Sequence, residues 1–322
     1  MARVTAQQVA ESAGVSISAV SRTFTEGGSV SPETRARVEA AAAKLGYRPN
    51  QLARGLMTGR TRLVGVLLAG TPGAAESLAL ARVVEGLQAH SLHPLVTRID
   101  ATPGPAAALD VLLQYQVDAA LIVGAELPDG FARDCQRAGI PALHLLGRKA
   151  ARPAVPVVGA DESAASAALV EKLVAGKRKR LACITDTPDA ERVTAFTEAA
   201  GAVKGVSAAV TTVEAATVEA GRAAAARLLA AGKAPQALFC SDDRLALGAL
   251  AACREAGLDV PGAVAIAGWG ALGLDPALAT VKPPVEAIVD DAIGRLVATL
   301  AGGGKLAGKR LQCELLPGAT LG

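Results

Sequence analysis

From residue 63 to residue 269 the chain repeats one pattern, an apolar run of strand length followed by an alanine-rich stretch of helical length. Five runs come first: LVGVLLA (63–69), PLVTRI (94–99), AALIVG (119–124), PALHLL (141–146) and VPVVGAD (155–161). Four follow after a gap: RLACIT (180–185), GVSAAVTTV (205–213), ALFCS (237–241) and AVAIAGW (263–269). A strand that is apolar on both sides must be covered on both sides, and helices between such strands supply the cover. Two series therefore predict an α/β fold with two doubly wound parallel-sheet subdomains. Ligands of such folds sit outside the carboxyl ends of the strands.

The first 46 residues follow a different rule. In VTAQQV, Thr5 stands at an N-cap with Gln8 three residues on, and Val4 and Val9 occupy the two staple positions. The spacing predicts a helix from about Ala6 to Ala13, ended by Gly14. VSISAV repeats the device with Ser16 as N-cap and Val15 and Val20 as the staple pair. SPETRARVEAAAAKLG then offers Ser31 as N-cap, Pro32 at the first helical position and Gly46 as terminator. Three short helices with a glycine turn between the first two match a helix-turn-helix.

A three-helix bundle without a ligand would read the same way, and charge adds weight to a DNA reader, although a basic face alone is usually only a solubilising surface. Residues 1–62 carry nine basic side chains against four acidic ones, a net +5, so the remaining residues hold the balance of −2 within the overall +3. A small basic module on a slightly acidic body is the footprint of a nucleic-acid-binding arm. In a helix-turn-helix the start of the second helix meets base edges in the major groove. Ile17, Ser18 and Arg22 stand there, with Ser16 and Ser21 suited to phosphates. Arg22 can make the bidentate contact to guanine. Thr5 and Thr34 are further candidate DNA contacts.

VTAQQVAESAGVSISAVSRTF, VSPETRARVEAAAAKLGYRPNQLARGL and TGRT together resemble the headpiece of the lactose-repressor (LacI/GalR) family of bacterial transcription regulators, over residues 4 to 62. The resemblance implies a helix-turn-helix headpiece over 1–49, a hinge helix and linker over 50–62, and a two-lobed effector-binding and dimerisation core over 63–322. It also implies that PNQLARGL pairs with its twin on the operator, with Leu56 as a wedge in the central base step and Asn50 and Ala53 at the minor groove. An apolar wedge unstacks and kinks DNA, and the extra contacts of bent DNA offset the cost. Gly55 and Gly59 each weaken an isolated helix by about 1 kcal/mol relative to alanine, so the hinge is expected to order only on DNA.

The body resembles the same family's core, which is related to periplasmic sugar-binding proteins, through AERVTAF (190–196), ALFCSDDRLALGAL (237–250), VAIAGWG (264–270) and ALATVKPP (277–284). The resemblance implies that Arg192 contacts the effector, as a clamp for a carboxylate, phosphate or vicinal hydroxyls. Asp242 stands where asparagine is usual, and Asp161 begins the usual Asp-Asn stretch. Two positions that commonly hold an aspartate for sugar hydroxyls are Gly147 and Gly270. LAGTPGAAES lacks the usual aromatic cluster, leaving Thr71 and Glu76 among its polar residues. Three readings stay open: a small anionic effector on Arg192, helped by Arg148 and stacked on Trp269; a conventional sugar or sugar phosphate; or no effector, with Arg192 bridged to Asp161 or Asp242 and Trp269 in the core.

Other classes find little support. No GxGxxG follows a strand, no GK[ST] occurs, and none of the three histidines lies beside a glycine-flanked serine. The five cysteines form no CxxC pair and the histidines have no partner at ligand spacing, so neither metal nor cofactor is expected. Although 51% of residues are apolar, no uninterrupted window is long enough for a membrane span, and the N-terminus does not read as a signal peptide. The expectation is a cytoplasmic homodimer on a palindromic operator, modulated by a small molecule. LLPGATLG carries no leucine heptad for a tetramer. The alternative, a soluble periplasmic-type binding protein without DNA regulation, would share the body but needs an export signal and no headpiece.

Overall fold

Capping and periodicity in the first 46 residues become three helices in the computed structural model, which describes residues 4–25, 27–48, 59–70, 72–99, 104–124, 127, 130–148 and 155–322. The chain divides into two compact units, Met1–Thr61 and Arg62–Gly322. In the first, α1 (Ala6–Ala13), α2 (Ile17–Thr23) and α3 (Pro32–Leu45) enclose Val9, Ala10, Val20, Val38, Ala41 and Ala42. Thr5 and Gln8 form the expected capping box: the Thr5 hydroxyl accepts from Gln8 N–H at 3.3 Å and Thr5 N–H donates to Gln8 Oε1 at 2.9 Å. Gly14 ends α1 at φ 62°, a left-handed conformation that costs glycine nothing. Ser16 and Ser31 cap α2 and α3 by accepting from Ala19 N–H and Thr34 N–H, each at 3.2 Å.

Two of the basic side chains are structural. Arg37 donates to the carbonyls of Ala13 and Gly14 at 2.8–3.2 Å, and Arg35 to those of Thr23 and Gly28 at 2.8 and 3.2 Å. Both satisfy carbonyls left over at helix ends and beyond, which a cation also suits electrostatically.

The second unit holds two six-stranded sheets. Strands β1 (Leu63–Leu68), β2 (His93–Arg98), β3 (Ala119–Val123), β4 (Ala142–Leu145) and β5 (Val157–Asp161) form most of the first. Strands β6 (Arg180–Thr185), β7 (Ser207–Thr212), β8 (Ala237–Cys240), β9 (Ala265–Trp269) and β10 (Ala279–Lys282) form most of the second. Between them run α4 (Ala74–Ala89), α5 (Pro105–Gln114), α6 (Phe131–Arg137), α7 (Glu162–Ala175), α8 (Glu191–Gly201), α9 (Val218–Leu229) and α10 (Asp243–Glu255). Alternate residues of β1 face opposite layers: Val64 and Val66 pack with Val83 and Leu87 of α4, whereas Leu67 packs with Leu112 of α5 and Phe131 of α6. The second sheet is covered likewise, by α7 and α8 on one side and α9 and α10 on the other.

The end of the chain departs from a simple succession of two lobes. Helix α11 (Val285–Leu300) returns to the first lobe, packing Ile288, Val289 and Leu296 against α4 and the first sheet. Strand β11 (Lys309–Gln312) pairs parallel with β5, and β12 (Glu314–Leu316) pairs antiparallel with β10. The sheet orders are β11-β5-β4-β3-β1-β2 and β12-β10-β9-β8-β6-β7. The backbone thus passes between the lobes after β5, after β10 and between β11 and β12. The apolar-run pattern misses β10, β11 and β12 because β10 has only three buried residues before Lys282, and β11 and β12 are half-covered edge strands. Among the described residues no helix is long and apolar enough to cross a membrane.

Candidate DNA-binding surface and interlobe cavity

Helix α2 presents its first turn outward. Ile17, its first residue, is 51% exposed, an unusual place for a large apolar side chain. Ser18, Ser21 and Arg22 are exposed beside it. Arg22 Nε donates to the Ser18 carbonyl at 3.3 Å, and the Ser16 and Ser18 hydroxyls lie 2.9 Å apart. Thr5 and Thr34 sit at the starts of α1 and α3, where the Thr34 hydroxyl accepts from that of Ser31 at 2.9 Å. Asn50, Ala53 and Leu56 lie outside the described residues.

In the second unit a cavity of about 510 Å³ opens at the carboxyl ends of the central strands, between the lobes. Arg192, the second residue of α8, lies with its guanidinium carbon 5.4 Å from the centre of the Trp269 ring at the end of β9. Its Nη1 donates to both oxygens of Glu162, at 3.3 and 3.4 Å, and its backbone N–H donates to Glu162 Oε2 at 3.2 Å. Among the described residues its Nε is buried without an acceptor. Such a donor costs roughly 1–3 kcal/mol.

The geometry changes the expected roles of several residues. Arg192 pairs with Glu162, not with Asp161 or Asp242, because each of those carboxylates is engaged at a helix start. Asp161 Oδ1 accepts from Ala164 N–H at 3.1 Å as the N-cap of α7, and its neighbours Ala160 and Glu162 line the cavity in its place. Asp242 caps α10 and is held by Arg244, Nε to Oδ1 and Nη2 to Oδ2, both at 2.9 Å. Trp269 is 6% exposed, with Arg192 over its ring and Phe239 at 6.2 Å, so it belongs to the core and also supports the arginine. It is therefore no open platform for stacking a ligand. Arg148 lines the cavity after β4. Thr71 lies outside the described residues.

Sequence reasoning missed three groups at this site. Arg310, on β11, donates to the carbonyls of Gly147 and Ala160 at 3.2 and 3.1 Å and lies 3.7 Å from Glu191 at the start of α8, linking the lobes. Asp243 is buried behind the cavity wall, accepting from the Thr280 hydroxyl at 2.6 Å and from Leu272 N–H at 2.8 Å. Burial raises its pKa above the ordinary 3.8, and the two hydrogen bonds act the other way. The third is His144, 5% exposed, with Nε2 donating to the Gly124 carbonyl at 2.7 Å. A Cβ on Gly147 would come within 2.5–2.9 Å of that ring, so the fold requires glycine where an aspartate is usual in the family resembled.

The description "Bacterial regulatory proteins, lacI family" matches residues 5–50, and "Periplasmic binding protein-like domain" matches residues 170–321. The HTH-type transcriptional regulator AscG of Escherichia coli K12 is 30% identical over 311 residues, 92% of each chain. This chain belongs to the LacI family of bacterial regulatory proteins. The HTH-type transcriptional repressor CytR of the same strain is 28% identical over 97% of this chain and 94% of its own. Among solved structures, a LacI-family transcriptional regulator from Silicibacter pomeroyi superposes with TM-score 0.79 and 27% identity over 98% and 99% of the two chains. The lac repressor dimer bound to operator and an anti-inducer superposes with TM-score 0.85 over the full length of both, at 24% identity, which supports the fold. This LacI-family chain is a DNA-binding transcriptional regulator and not an enzyme.

Proposed function

We propose that this regulator is a cytoplasmic repressor that binds a near-palindromic operator as a homodimer and changes its operator affinity when a small molecule occupies the interlobe cavity. The exposed face of α2, with Ile17 and Ser18 in its first turn and Arg22 in its last, on a module of net charge +5, carries the reading. One such helix contacts too few bases for a unique site, so two headpieces on a symmetric dimer read two half-sites. Residues 1–49 serve as the headpiece, 50–62 as the hinge and 63–322 as the effector and dimer body. In the hinge, Leu56 acts as the wedge, with Asn50 and Ala53 beside it. Solved relatives support the arrangement, since one is a repressor dimer on its operator.

The cavity couples to the hinge through lobe movement. Three backbone crossings and the Arg310–Glu191 pair join the lobes, and a ligand that alters their angle acts on the segment entering β1. A coupling of about 1–3 kcal/mol gives a 5- to 150-fold change in operator affinity. Selection of bound sequences from randomised DNA is expected to return a two-fold symmetric site. Arg22→Ala is expected to relax base preference at one position in each half-site, with about 1–3 kcal/mol of discrimination lost there. An Arg22→Ala selection identical to that of the parent protein would remove Arg22 from base readout.

A further inference from the structure

The Arg192 guanidinium is used on one edge only. Both side-chain hydrogen bonds of Arg192 run from Nη1 to Glu162. Among the described residues Nε is buried without an acceptor. Nη2 makes no hydrogen bond among the described residues and is not sealed off as Nε is. In a guanidinium, Nε–H and Nη2–H point the same way and form a side-on fork, spaced to meet two coplanar oxygens. Among the described residues the two donors of this edge thus lack acceptors, Nη2 at the cavity and Nε sealed behind it against Trp269.

The rest of the lining decides what fits that pair. A hydroxyl-rich ligand brings a hydrogen for every oxygen and needs acceptors, yet of the five acidic groups in the lining only Glu286 is without a hydrogen bond or ion pair among the described residues, Glu76 accepting from Gly73 N–H at 3.1 Å. Both oxygens of Asp242 are on Arg244, Glu162 is on Arg192, and Glu191 accepts from Ser163 at 2.8 Å and faces Arg310. A purely accepting group needs only donors. Charge narrows the choice further: among the described residues five basic and five acidic side chains line the cavity, so a dianion would leave more uncompensated charge than a monoanion.

We infer that the effector carries a carboxylate, bound side-on by Nε and Nη2 of Arg192 while Glu162 keeps Nη1. This rests on the reading of the cavity as the effector site. Reaching Nε draws the guanidinium along the face of Trp269, so binding is expected to report through that residue, the single tryptophan of the chain.

The test titrates the full-length protein with the monocarboxylates acetate, lactate, pyruvate and benzoate, with succinate as a dianion for comparison, and in parallel with inorganic phosphate, ribose and glucose. Tryptophan emission and calorimetry are recorded, and operator binding is measured on the same preparation. At least one carboxylate is expected to bind and shift the emission. Arg192→Lys, which keeps the charge and loses the fork, is expected to weaken it about tenfold to a hundredfold. Glu162→Gln, which removes the competing anion and retains an acceptor for Nη1, is expected to strengthen it severalfold, a direction that damage to the fold would not produce. Binding of phosphate or sugars alone, a carboxylate affinity unmoved by Arg192→Lys, or silence from every carboxylate while operator is still bound would each overturn the inference. Loss of operator binding itself would count against the regulator reading and leaves the carboxylate titration to be read on its own.

Discussion

His144 shows how one buried side chain sets both a sequence requirement and a pH response. Its ring fills the space beside Gly147 and excludes a side chain there, and burial, reinforced by the charge of Arg310, lowers its pKa below the ordinary 6.5 despite the bond to Gly124. The folded protein keeps this imidazole neutral at pH values where the unfolded chain has taken up a proton. Stability is therefore fully present above 6.5 and is lost as pH falls through that value towards the lower folded pKa. Thermal unfolding at pH 5 and pH 8 is expected to show a drop in Tm at acid pH that is smaller in His144→Gln. An equal drop in both proteins would assign the acid sensitivity to other groups. The same residue explains a limit of sequence reading: Gly147 is visibly odd for the family, but nothing in LLGRK announces that a histidine three positions earlier occupies its space.

Elements were more legible than contacts between them. Helix starts followed from local chemistry, because Thr5, Ser16 and Ser31 satisfy N–H groups within three residues of themselves. Buried strands followed from apolar runs, whereas the half-covered edge strands β11 and β12 leave a weak local signal. The Arg192–Glu162 pair is 30 residues apart and the Arg310–Glu191 pair 119, so neither spacing encodes the contact. Helices α9 and α10 make the point energetically. Their backbones meet at Gly221 and Gly248, where an added Cβ would lie 2.3 Å from the Leu245 carbonyl oxygen and 2.1 Å from that of Val218. Propensity alone favours alanine in a helix by about 1 kcal/mol. Gly248→Ala is nevertheless expected to destabilise the body by about 1–3 kcal/mol or more, since a clash with backbone cannot be relieved by a rotamer. Urea unfolding with a raised midpoint would show that the two helices separate at little cost.

At the scale of the whole molecule, the resemblance of the headpiece identified the family from residues 4 to 62, and the structure supplied the closing of the body, in which α11 and β11 return to the first lobe. With that return the backbone crosses between the lobes three times, and the Arg310–Glu191 ion pair in the cavity lining joins them as well. The proposed function joins this body to DNA through residues 50–62 and requires that an operator be bound symmetrically and bent at its centre. Footprinting of the full-length protein on its native upstream DNA, with Leu56→Ala alongside, tests this most directly. A two-fold symmetric protected site with a distorted central step is expected, and a Leu56→Ala footprint that is weaker and lacks the distortion while the fold is kept. Absence of protection at low salt, or a central distortion unchanged by Leu56→Ala, would contradict it.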